Sequence, residues 1–187
     1  MKNKKRLVVV LGVSALLLFG CSSAGKNEVV IIDEETGEEI VVQQEELDAK
    51  EKEIQDYSQH LSETFTASMS LQDTFAHALD DMFTKESSAS QFAKILRDQV
   101  INESRDVLDK GEKYNFPGDY FELNQMVVTN LNNQHQLFLD AVNEATTASQ
   151  TEDREVDIVK LREQLANLKQ EYLTIVNTWK NGGNAQH

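Results

Sequence analysis

The chain has 187 residues, of which 32 are acidic and 18 are lysine or arginine, so its formal net charge is −14. This charge disfavours nucleic acid as a partner, because binding to phosphates depends on lysine and arginine. It also disfavours adhesion to anionic lipid. A single proline and eight glycines favour long helices over a β fold with many turns.

The N-terminal segment, residues 1–20, has the organisation of a secretory signal. Four basic residues at positions 2–6 precede an apolar segment that extends from Leu7 to Phe19. This segment is short for a membrane-spanning helix, which needs about 20 apolar residues. We therefore expect residues 1–20 to be a signal peptide rather than a permanent transmembrane helix.

The residues that follow the apolar segment include the chain's only cysteine. Leu18-Phe19-Gly20-Cys21 resembles the lipobox of bacterial lipoproteins, although position 19 usually holds a smaller residue than phenylalanine. In that family the cysteine thiol receives a diacylglycerol and signal peptidase cuts before it. The resemblance implies that Cys21 is lipidated and anchors the chain to the extracytoplasmic face of the cell membrane. Two or more acyl chains give stable anchoring, at ~0.8 kcal/mol per buried CH₂.

Lipidation and cleavage at this site would change what the rest of the chain can do. A lipidated Cys21 leaves no thiol for a disulfide, for thiolate catalysis or for a cysteine metal site. The mature chain would begin at Cys21 and, without the four basic residues of the signal, would have a net charge of −18. The length that remains is typical of one domain with a modest core.

A tether and a short β-hairpin are predicted next. Ser22–Asn27 is small and polar, whereas Val29–Ile32 and Ile40–Val42 are β-branched runs on either side of Gly37, which is a hairpin pattern. Five acidic residues flank these runs: Asp33, Glu34, Glu35, Glu38 and Glu39. They lack the alternating order of a calcium loop, so we interpret them as a solvated turn.

The first long helix is predicted over residues 44–84, where apolar side chains recur at helical spacing. The sequence TASMS, followed by a capping-box pattern from Ser70 to Asp73, is a candidate interruption. One bent helix and two separate helices both remain open.

Two further helices follow, separated by the clearest break in the chain. Ser88–Gln91 has the pattern of a capping box, and the helix that it begins is predicted to continue to about Asn115. Pro117-Gly118 ends that helix. Asp119, with Glu122 three residues later, is predicted to cap the next helix, which should end before the sequence TTASQTED.

The last helix, about Glu152 to Lys180, has the most regular pattern. Its apolar residues alternate at spacings of three and four: Ile158, Leu161, Leu165, Leu168, Tyr172, Ile175 and Trp179. This seam fits either a helix packed inside a bundle or a surface for a second chain. We favour the bundle, because the other helices also need apolar partners.

The predicted fold class is all-α: an antiparallel bundle of three or four long helices, preceded by a signal peptide, a tether and a short β-hairpin. The predicted organisation places the signal at 1–20, the lipidated cysteine, tether and hairpin at 21–43, the bundle domain at 44–181 and a disordered tail at 182–187. In a general way the chain resembles the small helical lipoproteins of Gram-positive bacteria.

Two groups of polar residues are candidate binding sites. His77 has Asp73 four residues before it and Asp81 four residues after it, with Asp80 next to Asp81. These groups could share a helical face and bind a cation, but one helix rarely completes a metal's coordination sphere. We interpret this face as solvated. The second group surrounds His135 and comprises Asn130, Asn132, Asn133 and Gln134. It fits a small-ligand site inside the bundle or an exposed helix face, and we favour the exposed face.

No catalytic or nucleotide-binding motif occurs in the mature chain, and we predict neither an enzyme nor a cofactor or metal site. The Glu-x-x-His motifs of di-iron bundles are absent. The predicted function is binding to a protein partner in the cell envelope, as an adaptor or an accessory subunit. The alternative is a lipoprotein that binds a small ligand or a metal. The first function requires an exposed apolar face, and the second requires a closed pocket with convergent polar groups.

Overall fold

A computed structural model describes residues 28–32, 39–116, 118–151 and 153–183. They belong to two compact units. One, which we call the core unit, is Tyr57–Val176, and the other contains the described residues up to 56 and from 177 onward. The predicted signal peptide, its cleavage site, Cys21 and the tether lie outside the described residues.

Almost all of the described chain is helical. It contains five α-helices: α1 Gln44–Phe83, α2 Ala89–Ile95, α3 Asn102–Lys113, α4 Phe121–Gln150 and α5 Ile158–Gly183. A π-helical segment, Leu96–Ile101, joins α2 to α3 without a break, so residues 89–113 form one continuous helix. The prediction of an all-α fold with three or four long helices is confirmed, with four in the described part.

Two short strands precede α1. Strand β1, Glu28–Ile32, pairs antiparallel with β2, Glu39–Gln43, with Val30 opposite Val41. The turn predicted at Gly37 and its acidic neighbours at positions 33–38 lie outside the described residues. The hairpin therefore stays a prediction.

The first long segment is a single helix, which decides between the two alternatives left open by the sequence. Helix α1 has 40 residues and continues through Ser70, whose carbonyl accepts a hydrogen bond from the Thr74 hydroxyl at 3.0 Å. The helix ends where Lys85 adopts a left-handed φ of 64°. The Glu86 amide then donates to the Asp81 carbonyl at 2.8 Å, a C-terminal capping arrangement.

Of the two helix caps predicted after α1, one is confirmed and the other is wrong. Ser88 and Gln91 form the capping box: the Gln91 amide donates to Ser88 Oγ at 3.3 Å and the Ser88 amide donates to Gln91 Oε1 at 2.8 Å. Asp119 does not cap α4, because it lies within a 3₁₀ turn, Gly118–Tyr120, and Tyr120 occupies the N-cap position.

The loop before the last helix begins and ends later along the chain than predicted. Helix α4 includes TTASQ, since the hydroxyls of Thr146 and Thr147 donate to backbone carbonyls four residues earlier and Ala148 is buried. Helix α5 begins at Ile158 instead of near residue 152. There the Asp157 carboxylate accepts the Lys160 amide at 3.0 Å, which satisfies one of the free N–H groups of the first turn.

The four long helices of the core unit pack with alternating direction. Phe75 of α1, Phe92 of α2 and Phe138 of α4 are fully buried, with ring centroids 6.1 Å apart for Phe75–Phe92 and 5.0 Å apart for Phe75–Phe138. Helix α4 also packs along α2 and α3. Contacts between α1 and α5, from Phe65–Tyr172 to Asp80–Arg162, show that these two helices are antiparallel.

The regular seam of the last helix lies inside this core. Leu161, Leu165, Leu168 and Ile175 are between 1% and 6% exposed. Tyr172 is half-buried, with its ring edge-on to Phe65 at 4.8 Å. The interpretation of the seam as a bundle helix is therefore confirmed for these residues.

Candidate interaction surface

The polar residues around His135 do not form a single face. Asn130 and Gln134 are 4% and 1% exposed, whereas Asn132 and Asn133 are exposed. Residues four apart lie on the same side of a helix, so Asn130 and Gln134 turn inward together. The prediction of an exposed face is wrong for these two residues and confirmed for Asn132 and Asn133.

The buried amides are engaged in hydrogen bonds within the protein. Gln134 Oε1 accepts hydrogen bonds of 2.7 Å from Ser68 Oγ and from Gln72 Nε2, and all three side chains are about 1% exposed. Asn130 Nδ2 lies 3.3 Å from the Leu168 carbonyl and 3.1 Å from a carboxylate oxygen of Glu171. These hydrogen bonds join α4 to α1 and α5. They also satisfy the buried amides, because buried polar groups in proteins are normally hydrogen-bonded.

His135 forms a serine–histidine pair with a residue far away in the sequence. Its Nδ1 lies 2.5 Å from Ser104 Oγ of α3, with which it shares a hydrogen bond. Burial lowers the pKa of His135, and the nearby Arg105 lowers it further. A catalytic serine must reach its substrate, but Ser104 is only 3% exposed. The pair therefore holds α3 against α4.

A second histidine lies in an aromatic cluster. The ring of His60 stacks on that of Tyr114 with centroids 3.8 Å apart and planes at 7°. Its Nε2 atom is buried and has no hydrogen-bond partner among the residues that the structure describes. Beside the stack is a groove of about 380 Å³, lined by His60, Asp109, Lys110, Lys113 and Tyr114. Asp109 and Lys113 form an ion pair of 2.8 Å at its edge.

Acidification should weaken the fold through His60. Burial lowers the pKa of His60, and Glu63 opposes this only in part. Below the ordinary pKa of histidine the unfolded chain binds more protons than the folded chain, so stability falls as the pH falls. We expect His60→Phe, which keeps a ring against Tyr114, to lose less stability than the wild type between pH 7.5 and 5. Urea unfolding at each pH measures the difference, and equal losses would contradict it.

A second groove, of about 340 Å³, lies beside the start of α5. Its lining is polar and charged: Asp140, Asn143, Glu144, Thr147, Arg154, Asp157 and Lys160. A carboxylate oxygen of Glu144 accepts the Asp157 amide at 2.8 Å. Both grooves are open to solvent, so neither is the closed pocket that a small-ligand binder requires.

The acidic face around His77 takes part in contacts between helices. Asp80 forms an ion pair with Arg162 of α5 at 2.5 Å, and Asp73 forms one with Lys169 at 3.4 Å. His77 is exposed. Within the described residues, no group of three or more histidine, cysteine or acidic side chains is arranged to hold a metal ion.

Exposed apolar side chains are concentrated beside these ion pairs. Five large apolar side chains are exposed among the described residues: Met69 (45%), Phe83 (62%), Phe121 (51%), Val159 (66%) and Leu173 (51%). Phe83 lies against the Arg162 guanidinium, 4.6 Å from the ring centroid. Met69 is four residues from Asp73, Val159 is three from Arg162, and Leu173 is four from Lys169. Each apolar side chain therefore lies on the same side of its helix as a paired charge.

We call this surface the α1/α5 face. It comprises Met69, Asp73, Asp80 and Phe83 on α1, with Val159, Arg162, Lys169 and Leu173 on α5. Its two acids and two bases cancel in charge. Each helix alone gave no sign of this surface, because the ion pairs that define it join residues more than 80 positions apart in sequence.

No protein-family model, curated protein or solved structure matches this chain. In the described ranges, no helix combines the length and apolar character needed to cross a membrane.

Proposed function

We propose that this protein is a lipid-anchored, extracytoplasmic lipoprotein that acts by binding a protein partner, as an adaptor or an accessory subunit. The observation that carries the binding role is the α1/α5 face. Four of the five large exposed apolar side chains of the described residues lie on it. Such clustering marks interaction surfaces, whereas single exposed apolar residues are ordinary.

The membrane anchor in this proposal rests on the sequence. A signal peptide at 1–20 would be removed, Cys21 would carry the lipid, and a tether with a hairpin would connect it to the helical bundle. The net charge of the mature chain disfavours direct adhesion of the bundle to anionic lipid. The acyl chains would therefore hold the protein at the membrane, which leaves the helical surface available to a partner.

The charges of the α1/α5 face also fit a protein partner better than a charged small molecule. Arg162 and Lys169 already have carboxylate partners on α1. Exposed pairs of this kind add little to stability, but at an interface they orient a partner and disfavour wrong ones. Apolar side chains on both sides of them supply the area that becomes buried on binding.

Site-specific photo-crosslinking in the host membrane tests the binding role. A photoreactive amino acid at position 173 should give covalent protein adducts, because Leu173 lies on the α1/α5 face. The matched control is position 121, since Phe121 has the same 51% exposure but lies on α4. Met69→Asp should remove the adducts formed from position 173. Equal labelling from both positions, or none from either, would contradict the proposal.

A further inference from the structure

We infer that the partner on the α1/α5 face is a second copy of this chain, in a dimer whose two-fold axis runs parallel to the helices. This inference rests on the proposed binding role of that face and adds the identity of the partner. It follows from the order in which charged and apolar side chains occur along the two helices.

The face is arranged in bands across α1 and α5. Because the two helices are antiparallel, Asp80 is level with Arg162, and Asp73 is level with Lys169. Phe83 is three residues after Asp80, and Val159 is three residues before Arg162. Both therefore lie beyond the Asp80–Arg162 pair, towards the loop that follows α1. Met69 is four residues before Asp73, and Leu173 is four residues after Lys169, so both lie beyond the Asp73–Lys169 pair at the other end of the face. Of the four paired charges, the two acids lie on α1 and the two bases lie on α5.

A two-fold axis parallel to the helices makes this pattern complementary to itself. Rotation about such an axis keeps every residue at its own height and exchanges the two sides of the face. Helix α1 of one copy then lies opposite α5 of the other. Asp73 therefore comes opposite Lys169 of the partner subunit, and Asp80 comes opposite Arg162 of the partner subunit.

The apolar residues match in the same arrangement. Phe83 comes opposite Val159 of the partner subunit. Met69 likewise comes opposite Leu173 of the partner subunit. Between the two ion pairs each helix also carries an alanine: Ala166 is exposed and Ala76 is half-buried. Small side chains in the middle of the face permit the two surfaces to approach closely.

Electrostatics selects this face for self-association. Two copies of a chain with a net charge of −14 repel each other across most approaches. On the α1/α5 face the two acids and the two bases cancel, so these four charges add no net repulsion between two copies that meet there. Both copies also run in the same direction, which suits two chains tethered to one membrane.

Light scattering coupled to size-exclusion chromatography of the purified full chain, in mild detergent, tests the inference. We expect the protein mass of a dimer for the wild type, and at least ~10-fold weaker association for Leu173→Asp, equivalent to about 1.4 kcal/mol. The control Phe121→Asp places the same charge at an equally exposed site on α4 and should remain dimeric. A monomeric wild type, or equal masses for the two variants, would overturn the inference.

Charge reversal gives a second test that does not depend on loss of association alone. Asp73→Lys places two lysines opposite each other in every dimer, and Lys169→Asp places two aspartates there, so each variant alone should be monomeric. A mixture of the two should form a heterodimer, because each lysine then faces an aspartate. No recovery in the mixture would overturn the two-fold arrangement. If the wild type is monomeric while Leu173 still crosslinks to a different protein, only this inference fails and the proposed function stands.

Discussion

Replacing Leu165 by alanine should lower the free energy of unfolding by about 2–5 kcal/mol. Leu165 lies on the buried seam of α5 and is 6% exposed. The loss combines the transfer energy of the removed atoms with the cost of the cavity they leave. A domain of this size has only about 5–15 kcal/mol in total, so the variant should have a much lower melting temperature.

Helix α5 itself provides the matched control for this experiment. Leu173→Ala removes the same atoms from the same helix, but at a position that is 51% exposed. Measured at a protein concentration low enough for the chain to be monomeric, where the proposed dimer contact of Leu173 contributes nothing, we expect a change within about 0.5 kcal/mol there. Urea unfolding followed by circular dichroism measures both values. Equal losses for the two variants would mean that the seam does not support the core.

Changing Cys21 to serine should abolish anchoring to the membrane. A serine hydroxyl does not receive the diacylglycerol in lipoprotein processing, so the variant should lack acyl chains and the cut before residue 21. In a bacterial host the wild type should enter the detergent phase of Triton X-114 as a lipidated protein. Mass spectrometry of the N-terminal peptide then gives the acyl content and the first residue of each form.

Ser23→Ala is the control for the Cys21 experiment, because it changes a neighbouring small residue and leaves the thiol in place. It should be lipidated and cleaved like the wild type. If Cys21→Ser had the wild-type N-terminus and acyl content, the lipoprotein part of the proposed function would be rejected. The binding role of the α1/α5 face would then have to be judged without the membrane.

The sequence predicted the helices best where local signals agreed with one another. The capping box at Ser88 and the seam through Leu161 and Leu165 depend on residues three or four apart, and both are found in the structure. The loop predicted at TTASQ was wrong because threonine hydroxyls bond back to carbonyls within the helix. Asp119 failed as a cap because the chain forms a 3₁₀ turn there before α4 begins.

Long-range contacts explain what could not be predicted. Asn130 and Gln134 look like surface residues in a polar sequence, and only their partners on other helices make burial acceptable. The α1/α5 face likewise depends on which two helices become neighbours. The pairing of Asp80 with Arg162 has no local signal, since the spacing between such residues is not fixed by helix geometry.

The hydrogen bonds to Gln134 have a consequence for the axial register of the bundle. Apolar contacts are not directional, so a core of leucine and phenylalanine alone would resist weakly the sliding of α1 along α4. A slide by one full helical turn would move at least one of Ser68 and Gln72 out of reach of the oxygen that accepts both of their hydrogen bonds. Each polar group left buried without a partner costs about 1–3 kcal/mol. Gln134 therefore fixes the axial register of α1 against α4. Apolar packing alone would define this register poorly.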